Sequence, residues 1–154
     1  MKPKPSPSRN HTLLLKAALC LALTASTATA AKAPPILGPY TARVISIQDG
    51  DTLTVDVPLW PGLTMRTKVR LAGIDAPELK AACKKERTLA IQARTHLTTL
   101  ATPQVRLTDV RLGKYAGRVV ARVLTMTGED VSAVMLSKGL ARAYDGGKRE
   151  GWCD

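Results

Sequence analysis

VRLAGIDAPE, residues 69–78, is where the chain changes period. Up to this stretch Met65, Thr67, Val69 and Leu71 alternate with Arg66, Lys68 and Arg70, the two-residue repeat of a strand with one face on a core. Beyond it Leu89, Ala93, Leu97 and Leu100 recur at helical spacing until Pro103 stops them. The alternation puts Arg66, Lys68 and Arg70 in an outward row of cations. At the junction two carboxylates, Asp75 and Glu78, straddle Pro77. Taken alone they read as a helix start, with proline at the first position and the glutamate favoured by the helix dipole.

Working outward, residues 41–47 and 52–57 are rich in β-branched types and form a hairpin around Gln48-Asp49-Gly50-Asp51, where Gly50 is expected to supply permissive backbone angles. Pro58 to Gly62 reads as the next turn. After the helix, 104–110 and 118–125 read as strands, and Val131, Val134 and Met135 as a short helix stopped at Lys138-Gly139. Leu140–Tyr144 extends away from it. Three strands, a helix and two strands give an α+β, mainly β, chain whose order of elements fits a five-stranded OB barrel with two to three helices. Other small α+β folds share that order, and none of them fixes a function.

The first 30 residues stand apart. Lys2, Lys4 and Arg9 precede an apolar run from Leu13 to Leu23, and Ala28-Thr29-Ala30 has the small-x-small pattern of a cleavage site. We read 1–30 as a signal peptide for export, to a periplasm or out of the cell; an uncleaved N-terminal anchor is the alternative. The run is far short of the roughly 20 residues that span a bilayer as a helix. Removal leaves 124 residues, an Ala/Pro-rich lead-in at 31–38 and one domain at 39–154, and lowers the formal charge from +11 to +7 because four basic and no acidic residues depart. The surplus suits a polyanion or simply a soluble basic surface. Cys20 departs too, so Cys83 and Cys153 remain, and in an oxidising compartment a single disulfide is expected, with two free thiols as the alternative. Closing so long a loop contributes about 4 kcal/mol in the chain-entropy account.

Absences narrow the chemistry. His96 is the one histidine left, read as a surface residue, so paired-histidine metal sites are excluded within one chain. There is no G-x-S-x-G and no glycine-rich loop ending in Gly-Lys-Ser or Gly-Lys-Thr. The chemistry left is that of carboxylates and cations at three turns: Asp49-Gly50-Asp51, Arg70 with Asp75 and Glu78, and Lys114-Tyr115-Ala116-Gly117-Arg118. Carboxylates offer hard oxygen ligands for Ca²⁺ or Mg²⁺, a further carboxylate can take a proton from water, and arginines clamp phosphate with paired donors.

The stretches VISIQDGDTLTV, VRLAGIDAPE and KYAGRVVARV, in this order, resemble the staphylococcal nuclease (thermonuclease) family from about Val44 to Tyr144. The resemblance implies an OB-fold monomer acting as a Ca²⁺-dependent phosphodiesterase on DNA and RNA and leaving 3′-phosphate ends. It implies calcium binding by Asp51, Asp75 and the main-chain carbonyl of Ala76, general base catalysis by Glu78, and phosphate binding by Arg70 and Arg118. Tyr115 and Tyr144 would line the nucleotide pocket, and Asp49 would hold the turn without ligating the ion. The spacing Tyr115-Ala116-Gly117-Arg118 is one residue longer than the family's usual Tyr-Gly-Arg, which raises the question of where Arg118 points. Two rival readings stand beside this one. One is a nucleic-acid-binding module that has lost catalysis, and the other a small exported structural domain. With Tyr40, Trp60, Tyr115, Tyr144 and Trp152 as its only aromatics, the chain has no broad stacking platform.

Overall fold

Val, Leu and Ala on the inward positions of the strands must be covered, and here the sheet covers them by closing on itself. A computed structural model describes Met1, Pro3 and residues 35–153, so the expected signal at 1–30 lies, those two residues apart, outside what is described. Strands β1 (Tyr40–Ile47), β2 (Thr52–Trp60) and β3 (Leu63–Leu71) form an antiparallel meander. After the two-residue strand β4 (Ile74–Asp75) come helix α1 (Lys84–Ala101), strands β5 (Gln104–Leu112) and β6 (Arg118–Leu124), helix α2 (Val131–Ser137) and strand β7 (Arg142–Ala143). The barrel closes in the order β1-β2-β3-β6-β5, the OB arrangement, and β4 pairs with β7 outside it. No described helix is long and apolar enough to cross a membrane.

Leu53, Val55, Val69, Leu71, Val105 and Val123 fill the barrel, and Ala93, Leu97 and Ala101 of α1 and Met135 of α2 close one end. The fold differs from the sequence expectation at four points. Strand β2 continues through Pro58, because its partner Thr64 is still in register, and the turn is only Pro61-Gly62, with Gly62 at φ +80°. The Asp-Ala-Pro-Glu segment does not start α1. The helix begins at Lys84 behind Cys83, whose sulfur accepts the Glu86 amide, and a loop spans 76–83. His96 is half-buried with its Nε2 shielded, because it lies beside the α1–β5 connection and the 125–129 turn rather than in open solvent. Ile36, near the end of the expected lead-in, pairs with Val110.

Candidate active site

The site forms where the β1–β2 turn, the end of β3 and the β4 segment meet. Asp49 accepts the Asp51 amide at 3.0 Å and so fixes the turn, as expected. The reason for Gly50 is different from the expected one. Its φ is not in the left-handed region; instead a Cβ there would lie 2.6 Å from the Cβ of Ala93 and 2.8 Å from that of Ala76. The turn carrying Asp51 is thus pressed against α1 and the residue after Asp75. Asp51 Oδ1 accepts from Thr52 Oγ1 at 2.8 Å and Arg70 Nη1 at 2.7 Å, and Oδ2 accepts from the Ala76 amide at 3.0 Å.

Arg70 does not belong to an exposed cation row. Arg66 and Lys68 are exposed, but Arg70 is buried, because β3 ends beneath two aspartates that need a cation. Its Nη2 donates to Asp75 Oδ1 at 3.1 Å and to the Ile74 carbonyl at 3.2 Å. One guanidinium therefore joins the two candidate metal ligands, a geometry that a lysine's point charge does not reproduce.

Glu78, the candidate base, sits on the 76–83 loop, and its side chain is 52% exposed. Its Oε1 accepts from Arg149 Nη1 at 2.7 Å, while Arg149 Nε lies 3.0 Å from Asp75 Oδ1. Burial of Arg149 lowers its pKa, but the Glu78 hydrogen bond and the charges of Asp75, Glu78 and Asp51 raise it by more. Sequence reasoning missed this residue. Its only local signal is a turn, Asp145-Gly146-Gly147, set just before a basic pair and a cysteine. The disulfide forms as expected, Cys83–Cys153 with Cα atoms 5.8 Å apart, and brings that tail to the site.

Strand β6 runs parallel to β3 with Lys68 opposite Arg118 and Arg70 opposite Val120, so Arg118 shares the outer face of Arg70. The extra residue of Tyr115-Ala116-Gly117-Arg118 is absorbed in the 114–117 loop. Gly113 N–H still bonds the Arg118 carbonyl at 2.9 Å, with Gly117 at φ +73° making the turn. Arg118 stacks 4.9 Å from the Tyr115 ring centroid, and its Nε is buried without a partner among the described residues, an orphan donor fitted to an anion. Tyr144 lies 5.9 Å from the Arg70 guanidinium and donates its hydroxyl to the Gly147 carbonyl at 2.8 Å. A cleft of about 250 Å³ opens beside Arg70, walled by Arg111, Lys114 and Tyr144. A second, of about 480 Å³, lies beyond Tyr144 and is walled by Asp75, Lys148 and Arg149.

The donors fit a hard divalent cation. Asp51, Asp75 and the Ala76 carbonyl would all offer it oxygen donors. Burial raises the Asp51 carboxyl above its ordinary range despite the opposing pull of Arg70, with Asp49 adding to the rise.

Comparison with known proteins finds similar sequences. The chain is 30% identical over 122 residues to Endonuclease YhcR of Bacillus subtilis, covering 73% of this chain and 10% of that protein. It is 40% identical over 86 residues to Probable endonuclease lcl3 of Penicillium rubens, covering 50% of this chain and 29% of that one. It is 38% identical over 85 residues to Probable endonuclease C19F8.04c of Schizosaccharomyces pombe, covering 51% and 36%. The chain thus spans between about a tenth and about a third of these relatives. Residues 68–151, which carry Arg70, Asp75, Glu78, Arg118 and Arg149, match the family described as Staphylococcal nuclease homologue, and with more than half its length matched the chain belongs to that family.

Proposed function

We propose that this protein is an exported nuclease that hydrolyses the phosphodiester bonds of DNA and RNA with Ca²⁺ and leaves 3′-phosphate ends. The observation that carries the reading is the joining of Asp51 and Asp75 by one buried arginine, with Glu78 reached from Asp75 through Arg149. Beside this network Arg118, on the face it shares with Arg70, keeps a buried Nε without a partner among the described residues, a donor that a purely structural domain has no use for. Asp51, Asp75 and the Ala76 carbonyl would hold the Ca²⁺, whose charge polarises the phosphate.

Glu78, exposed enough to meet solvent, takes the proton of the attacking water. Arg118, with an uncommitted Nε, and Arg70, whose guanidinium has more N–H donors than its present contacts use, receive the phosphate oxygens as charge builds on them. Tyr115 and Tyr144 flank these arginines and line the path of the nucleotide. Few carboxylates make a weak ion site, on the order of 10⁻⁴–10⁻³ M, workable where calcium is plentiful outside the cytoplasm. The protein would act as a monomer, after loss of 1–30.

The test is digestion of single-stranded DNA and of RNA by the purified protein with Ca²⁺ or with chelator, followed by end-group analysis. Calcium-dependent cutting to 3′-phosphate ends supports the proposal. Salt-sensitive binding without cutting in any divalent ion would replace it with a nucleic-acid-binding module.

A further inference from the structure

The segment 144–153 is fastened at both ends. At one, β7 pairs with β4 through Ile74↔Ala143 and Asp75↔Arg142, and the Tyr144 amide bonds the Gly73 carbonyl at 2.9 Å. At the other, Cys153 is bound to Cys83, the residue that caps α1. Between them Arg142 stacks 4.0 Å from the ring of Trp152, which is 7% exposed, and donates to the Gly151 carbonyl at 2.8 Å. Those fastenings lie on either side of the 76–83 loop. What they present to it is Arg149.

Glu78 needs such a partner. It stands on a loop rather than on a helix or strand, half-exposed, and an unrestrained glutamate there loses rotamer freedom with every step toward one geometry. A guanidinium that gives Nε to Asp75 and Nη1 to Glu78 sets the distance between the two carboxylates through a rigid planar group. We propose that Arg149 is a positioning residue for the nuclease reaction: it ties the general base Glu78 to the metal ligand Asp75, and the Cys83–Cys153 disulfide keeps it in place. The inference rests on the nuclease reading given above. It makes the tail part of the site, joined to it by a covalent bond that depends on an oxidising environment.

The test compares wild type, Arg149→Ala, Arg149→Lys, the Cys83→Ser/Cys153→Ser double variant, and Arg43→Ala as a control that removes a distant arginine. Two readouts are taken: steady-state cutting of single-stranded DNA at saturating Ca²⁺, and amide hydrogen exchange of residues 76–83 without ion or substrate. Arg149→Ala is expected to lower kcat about 10- to 100-fold, as loss of a group that orients a ligand does, with KM changed less than about 3-fold. Exchange at 76–83 should speed up while the barrel strands stay protected. Arg149→Lys should recover part of both effects. The double serine variant should reproduce both, and adding Arg149→Ala to it should change little more. Arg43→Ala should match wild type. A kcat equal to or above wild type in Arg149→Ala would overturn the proposal and make Arg149 a counter-ion that leaves when the metal binds. Faster exchange throughout the barrel would make its role merely structural. A wild type that cuts nothing would sink the nuclease reading itself, and this inference with it.

Discussion

Arg70 Nη1 stands 2.7 Å from Oδ1 of Asp51, and the two side chains are only 11% and 4% exposed. A pair so far from water gains from its partner chiefly because an unpaired buried charge is so unfavourable. Arg70→Ala leaves the buried Asp51 without its cation and Asp75 with Arg149 alone, and in chelator it should lose about 3–5 kcal/mol of unfolding free energy. Added Ca²⁺ should return part of that loss by binding the folded state alone. Urea unfolding with and without the ion decides it. An unfolding midpoint of the variant indifferent to Ca²⁺ would remove Asp51 and Asp75 from the metal site.

Glu78→Gln keeps the size and hydrogen-bonding reach of the side chain but removes its ability to hold a proton. Activity should fall at least about 100-fold, the range expected for loss of a general base. Stability should move by no more than about 0.5 kcal/mol, since the side chain is half-exposed. Rate and melting curve measured on one preparation separate the two. Retained activity would transfer the base role elsewhere.

Gly50→Ala places a methyl group against Ala93 and Ala76 at distances no relaxed contact allows. Either α1 or the turn must shift, at a cost of about 1–3 kcal/mol. Because the turn carries Asp51, ion affinity measured by calorimetry should weaken as well. An unaltered affinity in a destabilised protein would show that the turn and the site are mechanically separate.

Asp56 supplies a pH dependence far from the site. The Arg66 hydrogen bond, with the charges of Arg66 and Arg43, outweighs desolvation and lowers its carboxyl below the ordinary value of 3.8. A lowered folded value means stability that is present above about pH 4 and lost as pH falls through the folded pKa. Asp56→Asn should therefore be less stable than wild type at neutral pH and approach it below pH 4. Melting temperatures between pH 2 and 7 test this, and a gap independent of pH would assign the effect to packing alone.

Much of this was legible in the sequence because strand and helix periods are local. Met65 to Leu71 announced β3, and Leu89 to Leu100 announced α1, wherever the rest of the chain went. The position of Arg70 was not local. Alternation put it outward with Arg66 and Lys68, and only the meeting of the β1–β2 turn with β4 encloses it. Gly50 shows the same limit, since its requirement comes from Ala93 on an element more than 40 residues away in the chain. Arg149 lay furthest from reach. Nothing near it in sequence contacts Glu78, and the disulfide that brings it there joins residues 70 positions apart.

The parallel ladder between β3 and β6 bears on how the site is put together. The β1–β2–β3 meander needs only short-range pairing, and it is enough to bring Asp51 and Arg70 to one end of the sheet. Arg118 reaches the face of Arg70 only when Lys68 pairs with a residue 50 positions later. Arg70 and Arg118, the two arginines proposed to receive the phosphate, are thus neighbours only through the β3–β6 ladder. The carboxylate turn and the Arg118 side of the site are therefore joined by a long-range pairing rather than by the local meander, so the proposed grip on a phosphate depends on the β3–β6 ladder.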